Sequence, residues 1–412
     1  MNKQITTIAL FIFVCLFAAN VDSYACTSAI ISGRVTPDGR PIMWKQRDTG
    51  AKQNLVRYFT GGKYSFTAIC ETRNPNPRSA WIGTNEKGFS IMNTLSYNIL
   101  KDTTEATGRN GVMMKMALEN CATVQEFEDM LNSLPKPWRV NANYGVIDAT
   151  GAAAYFEVNN EEYFKYDVND TKTAPLGYIV RTNFSFAGNP EWGVGYVRYQ
   201  QADEMVKAAV MHNEVTPEYI FENLSRSFTN PVMGIDLKSG DFNKPKTTGW
   251  FVEQDIITRT KSTCSVVIQG VKEDEPAEFT TMWTIVGYPP TTAAMPVWVR
   301  GGAEGLPRML AANDNGLSPL ADKAYTLKTR VYSYKAEVAN ADKYFNWELL
   351  YNLQGTGYMQ IVQGIEQQVL KSYRKALDGW RKAGAINIKE LKKINEESDK
   401  YIEQRYLDEF SL

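Results

Sequence analysis

Short β-rich runs dominate the first third of the chain, and the first two are the most regular. Cys26-Thr27-Ser28-Ala29-Ile30-Ile31 and Pro41-Ile42-Met43-Trp44 flank a polar stretch centred on Pro37-Asp38-Gly39. Proline presets φ, aspartate bonds its own backbone and glycine tolerates positive φ, so this tripeptide marks a turn. The two runs therefore predict an antiparallel hairpin with Cys26 on its first strand. Further strands are predicted at Ser65–Glu71, Ala80–Thr84 and Phe89–Asn93, the last two joined across Asn85–Gly88. The period then changes. Gly111–Asn120 has helical spacing, and Thr123-Val124-Gln125-Glu126 is a capping-box pattern opening a second helix to Leu134. Tyr144–Ile147 and Ala153–Val158 read as a hairpin across Asp148–Gly151, and Gly177–Thr182 as another strand. Helices follow at Gly195–His212 and Pro217–Ser227, with Thr216 as N-cap and Pro217 in the first turn. Strands return at Asp255–Arg259, Thr263–Gln269 and Glu278–Val286. From about Leu320 the pattern is helical, with Tyr358–Trp380 the longest stretch.

Strands, a helix pair, strands, a helix pair and strands again form the order expected of stacked sheets between helical layers. No internal repeat or linker divides the chain, and the helical tail reads as an appended lobe. With 43% hydrophobic residues, the chain can bury a sizeable core. A net charge of −1 argues against a nucleic-acid or anionic-membrane surface. After the N-terminal run no apolar stretch approaches the ~20 residues of a membrane span.

The N-terminus changes the picture most. Lys3, the apolar run from Ile5 to Ala19 and the small-x-small sequence Ser23-Tyr24-Ala25 have the form of a secretory signal. Removal after Ala25 makes Cys26 the first residue of an exported protein, periplasmic or extracellular. Its freed α-amine, with a reference pKa of about 7.7–8.0, can serve the adjacent thiol as a base. Such a base is needed, because the chain has one histidine, His212, at the predicted end of a helix. A histidine triad or a histidine-rich zinc site is thus disfavoured. Cys15 leaves with the leader, and Cys70, Cys121 and Cys264 read as buried free thiols. The reading invokes no metal and no cofactor.

The opening Cys26-Thr27, the Asp-Gly hairpin tip and the second strand ending Trp44-Lys45-Gln46-Arg47-Asp48 resemble the cysteine N-terminal-nucleophile (Ntn) hydrolases. The resemblance is to choloylglycine hydrolases, penicillin V acylases and acyl-coenzyme A:isopenicillin N acyltransferases, and runs from Cys26 to about Gly287. It implies Cys26 as nucleophile and Asp48 as the carboxylate that fixes the amine and thiol. Lys45 falls where choloylglycine hydrolases carry an arginine; it supplies the cation but not a bidentate fork, which argues against bile salts. Arg47, on the same strand face, matches no family position and stays as an alternative cation. Asn93 matches the asparagine after the second hairpin. Asn183, in Arg181-Thr182-Asn183, matches the side chain that donates to the oxyanion, and Arg259 matches the late arginine near the nucleophile. Two departures stand out. Ala25, not glycine, precedes the cysteine, and the tail after Leu320 has no counterpart in the compact choloylglycine hydrolases.

The expected fold is α+β, a four-layer αββα sandwich with a helical C-terminal extension. Its expected boundaries are 1–25 for the leader, 26–318 for the sandwich and 319–412 for the extension. The expected activity is cleavage of linear non-peptide C–N amide bonds through a cysteine thioester, with acyl transfer as a variant. The partner is a small-molecule amide, and a homo-oligomer is left open. Two alternatives remain: a secreted cysteine dipeptidase of the same superfamily, and a lipid-anchored binding protein acylated on Cys26. The second is disfavoured by Ser23, because a lipobox takes an apolar residue at that place. Trp81, Trp192, Trp250, Trp283 and Trp298 could line an acyl pocket or pack in the core.

Overall fold

Strands β1 (Ala25–Ile31) and β2 (Ile42–Asp48) pair antiparallel as the hairpin predicted around Pro37-Asp38-Gly39, with Gly39 at φ +74° in the turn. The computed structural model describes residues 25–71, 77–100, 108–244, 248–333 and 341–412. The predicted leader up to Tyr24, Lys3 and Cys15 included, lies outside the described residues.

The chain continues through β3 (Asn54–Phe59), β4 (Phe66–Glu71), β5 (Ile82–Asn85) and β6 (Ser90–Leu95) to helices α1 (Asn110–Asn120) and α2 (Val124–Ser133). The predicted N-cap forms, Thr123 Oγ1 accepting from Glu126 N, while the Glu126 carboxylate accepts from Ala122 N, one residue before the position a capping box requires. Next come β7 (Ala142–Ile147), β8 (Ala153–Val158), β9 (Tyr163–Asp167), β10 (Tyr178–Arg181) and α3 (Tyr196–Met211). Helix α4 (Pro217–Tyr219) runs straight into a π turn at Ile220–Leu224. The single helix predicted to Ser227 is thus cut short. The Ser225 carbonyl is engaged by Gln46 and Thr258, which draws this turn out of regular helical pairing.

Short strands β11 (Thr229–Asn230), β12 (Ile235–Asp236) and β13 (Trp250–Val252) precede β14 (Ser262–Gln269), β15 (Thr281–Val286) and β16 (Met295–Val297). The strand predicted at Asp255–Arg259 does not form. Asp255 sits at φ +43°, and this loop's backbone is held by side chains, Ile257 N on Gln201 Oε1 and Thr260 N on Glu253 Oε2. The C-terminal part contains α5 (Pro319–Val331), β17 (Tyr344–Asn346), α6 (Trp347–Leu350), α7 (Tyr358–Ala383) and α8 (Ile388–Phe410).

Six strands form one sheet in the order β10-β1-β2-β14-β15-β16, and β3 to β9 form a seven-stranded meander. Alternation sends Ser28 towards the second sheet, where its hydroxyl meets Tyr155 on β8. Trp44, one residue out of phase with Lys45, faces the opposite way and bonds Ser225. Helices α1 and α2 cover the outer face of the meander through Met114, Leu118, Phe127 and Leu131. Helix α3 lies over β10 and β1, while α7 lies over β16. The molecule is therefore an α+β, αββα sandwich, as predicted. In the tail, Val362, Tyr373, Trp380 and Tyr406 belong to the same buried cluster as Trp283, Met295 and Trp298, while Phe345, Trp347 and Leu350 pack with Phe228 and Tyr288 in another.

Candidate active site

Cys26 lies near the start of β1, directly opposite Arg47 on β2, and Arg47 in turn lies opposite Cys264 on β14. Paired residues share a face, so the Cys26 side chain points with those of Arg47, Lys45 and Ser28 into the space between the sheets. It is nearly buried, at 7% exposure.

Lys45 crosses that space. Its Nζ donates to Trp81 O at 2.7 Å and to Asn93 Oδ1 on β6 at 2.9 Å. Complete burial pushes Lys45 down to about 8; Arg47 adds to this, while the Cys26 and Cys264 thiols oppose it. By holding the Asn93 oxygen, Lys45 orients the carboxamide so that its Nδ2 faces away from the ammonium. Arg47, the alternative cation, bonds Asn54 Oδ1 at 2.6 Å and Glu71 Oε1 at 2.8 Å and stacks on the Trp81 ring. Of the five tryptophans considered for a pocket, Trp81 is the one that touches this cluster. Trp283 and Trp298 are core residues, and Trp192 and Trp250 are exposed.

Asn183 follows β10 and is fully buried. Its Oδ1 accepts from the Cys26 backbone nitrogen at 2.8 Å, and its Nδ2 donates to Leu95 O at 2.8 Å. Both bonds require the same amide orientation. One Nδ2 hydrogen is taken by Leu95, so a single one is left for another acceptor. Asn183 thus contacts the nucleophile residue through its oxygen, at the chain nitrogen.

Asp48 closes β2 opposite Ala25. Strand alternation turns its side chain away from the thiol face, towards the 255–262 loop. There Arg259 Nε donates to Oδ2 at 2.7 Å and Ser262 Oγ to Oδ1 at 2.7 Å. This places Asp48 beside the backbone end of β1 rather than beside the sulfur. Arg259 also reaches Asp255 Oδ1 at 3.2 Å, and the paired carboxylates raise its pKa despite burial.

Arg198 escaped the sequence reading. It projects from α3 with 1% exposure, donating to Cys26 O at 2.8 Å, Thr27 Oγ1 at 3.1 Å, Asn183 Oδ1 at 3.0 Å and Asp255 Oδ1 at 2.9 Å. The signal was present: Arg198 and Gln201 fall on the same helical stripe as Ala202, Val206 and Ala209, all buried. A cation on a buried stripe needs partners.

The remaining thiols are free and buried, and burial pushes Cys264 up to about 11 and Cys70 and Cys121 to about 12. His212 is exposed at the end of α3, remote from the cluster in the fold. Among the described residues no group of His, Cys, Asp or Glu is arranged to hold a metal ion. None of the described helices is long and apolar enough to cross a membrane. A cavity of about 560 Å³ is lined by the 50–53 loop, Glu71, Leu317 and Tyr325. Glu71 joins it to the cluster through Arg47.

Residues 36–216 match the family described as acyl-coenzyme A:6-aminopenicillanic acid acyl-transferase. The matched segment carries Lys45, Asp48, Asn93, Asn183 and Arg198; Cys26 precedes it and Arg259 follows it. Similar solved structures include the Caenorhabditis elegans ortholog of N-acylethanolamine-hydrolyzing acid amidase, at 14% identity over 59% of this chain and 92% of that one, with a TM-score of 0.39. A variant of conjugated bile acid hydrolase from Clostridium perfringens is 12% identical over 67% of this chain and 93% of its own, TM-score 0.39. Penicillin V acylase from Agrobacterium tumefaciens is 13% identical over 66% and 85%, TM-score 0.33. No curated protein matches the chain in sequence.

Proposed function

We propose that this chain, whose segment 36–216 matches the acyl-coenzyme A:6-aminopenicillanic acid acyl-transferase family, is an exported enzyme cleaving linear N-acyl amides, with Cys26 as nucleophile once the preceding residues are removed. The observation that carries the reading is convergence at one strand end. Asn183 Oδ1 holds the Cys26 nitrogen, while Lys45 and Asn93 close the face on which the thiol lies.

In this scheme the α-amine of Cys26 takes the thiol proton and the sulfur attacks the substrate carbonyl. Negative charge develops on the carbonyl oxygen, for which Asn93 Nδ2 and the second hydrogen of Asn183 Nδ2 are the candidate donors. The C–N bond breaks as the ammonium returns its proton to the departing nitrogen, leaving a thioester. Water, deprotonated by the same amine, adds to the thioester, and the acid leaves as the thiol is regenerated. An acceptor amine in place of water gives acyl transfer. Asp48 and Arg259 hold the end of the β1–β2 ladder where that amine lies.

One observation favours a second reading, a dipeptide substrate. The cavity joined to the cluster through Glu71 has Lys52, Gln53 and Tyr325 in its wall, so it offers both charges to a zwitterion. A panel of N-acyl amides and dipeptides separates the two. The test common to both is Cys26→Ala, which should abolish turnover with the melting temperature retained. Near-normal turnover in that variant would overturn the assignment.

A further inference from the structure

A line of alternating charge runs behind the nucleophile, and the scheme above leaves two of its members unassigned. Asp48 Oδ2 receives Arg259 Nε at 2.7 Å, Arg259 gives a second hydrogen bond to Asp255 Oδ1 at 3.2 Å, and the same oxygen receives Arg198 Nε at 2.9 Å. The line ends in the site, because the two terminal nitrogens of Arg198 are spent on Cys26 O, Thr27 Oγ1 and Asn183 Oδ1.

We propose that Arg198 and Asp255 are positioning residues that lock the Cys26 peptide plane and the Asn183 carboxamide in their working orientation, tying both to Asp48. The proposal rests on the reading of Cys26 as nucleophile.

Three observations carry it. First, the geometry is directional. A guanidinium can only donate, so a fork ending on Asn183 Oδ1 forbids the flipped amide and keeps Nδ2 on the side of Leu95 O. Second, Arg198 is 1% exposed, and a buried cation persists only with satisfied partners; here its bonds lead to Cys26, Thr27, Asn183 and Asp255. Third, Asp255 holds φ +43°, a conformation that costs a non-glycine residue energy and persists where the surroundings impose it. Without its carboxylate, two guanidiniums would face each other with no anion between them.

The C-terminal part reaches the same loop. Lys328 on α5 donates to the carbonyl of Thr260, and Thr260 N donates to Glu253 Oε2 at 2.6 Å. The loop that carries Asp255 and Arg259 is thus pinned from both sides.

The test uses the mature enzyme with Arg198→Met, Arg198→Lys, Asp255→Asn, Asp255→Gly, Asn183→Ala and the double variant Arg198→Met/Asn183→Ala. Steady-state constants are measured beside melting temperatures and the rate of Cys26 alkylation by iodoacetamide. Arg198→Met should lower kcat roughly 10²-fold, with KM altered only a few-fold. Arg198→Lys should recover part of the loss, since an ammonium can reach one acceptor but cannot fork. The double variant should lose much less than the product of the two single losses, because part of what Arg198 does runs through Asn183. Asp255→Gly accepts φ +43° without strain but removes the anion shared by Arg198 and Arg259, so it should melt somewhat earlier than the wild type, as Asp255→Asn should, and lose kcat about 10-fold. It also decides the matter if Arg198→Met fails to fold. Unchanged kcat in Asp255→Gly and Arg198→Lys, or losses that multiply in the double variant, would overturn the proposal. A Cys26→Ala variant that still turns over and an alkylation rate indifferent to all these changes would instead sink the nucleophile assignment.

Discussion

The Asn183 carboxamide serves three partners, taking hydrogen bonds from Cys26 N and Arg198 and giving one to Leu95 O. Asn183→Ala should therefore lower kcat roughly 10²-fold or more with a smaller effect on KM, measured by steady-state kinetics. Asn93→Ala should do the same if its Nδ2, left unclaimed by Lys45, is the other oxyanion donor. Asp48→Asn should shift the pH limb set by the amine, whereas Asn183→Ala should keep the wild-type profile at reduced height. Lys45 supports a separate prediction on stability. Burial lowers Lys45, Lys238 and Lys328 from 10.5 to about 8 each. Above about pH 8 the unfolded chain then holds more protons than the folded one, so stability should rise with pH. The buried thiols act oppositely above their ordinary value of 9.0, which leaves about pH 8 to 9 as the clean window. Urea unfolding across that window should show the rise, and Lys45→Met should make it shallower.

At the level of elements, the contact between the π turn and α7 is the most concentrated. Arg226 forks onto Glu366 at 2.8 and 2.6 Å and also donates to the carbonyls of Pro289 and Thr292. Glu366 in turn accepts from Ala294 N at 2.7 Å, so one ion pair joins three segments. Removing one partner leaves a buried charge, and Arg226→Met should cost about 3–5 kcal/mol in denaturant unfolding. Replacing both by apolar residues of similar volume should recover much of that loss. The same reasoning explains why Asp255–Arg259, β-rich on paper, is not a strand. Its side chains are committed to Asp48 and Arg198 and its backbone nitrogens to Gln201 and Ser227, which draws it away from a regular ladder.

For the whole molecule, the question is whether the tail is separable. Helix α3 covers β10 and β1, and α7 covers β16. Deletion of residues 319–412 should therefore expose Trp283, Met295 and Trp298 and give an insoluble or unfolded product, read by solubility and near-ultraviolet circular dichroism. A soluble, cooperatively melting truncation would show an appended lobe instead. Maturation belongs to this scale too. Mass spectrometry of the exported protein should find Cys26 first with a free amine, and retained upstream residues or a lipid there would remove the proposed base.

The sequence alone determined most of what depends on local chemistry. The Pro-Asp-Gly turn, the Thr123 and Thr216 caps and the period changes specified the elements, because turns and caps act over a few residues. The order of those elements was enough for the layered fold. Lys45, Asp48, Asn93, Asn183 and Arg259 were named from the resemblance to the cysteine Ntn hydrolases, carried by short motifs in the sequence, and the fold brings them to one end of the β1–β2 ladder. Only the tertiary structure decided their contacts. Asn183 turns its oxygen to the nucleophile's nitrogen, Asp48 faces away from the thiol, and Arg47 rather than Lys45 stands directly opposite Cys26. Arg198 and Asp255 became visible only once α3 and the 255–262 loop met, since 57 residues separate them. Nothing in local propensity encodes such a meeting. In the tail, helical periodicity says that a face is buried without saying against what, and α7 lies against β16.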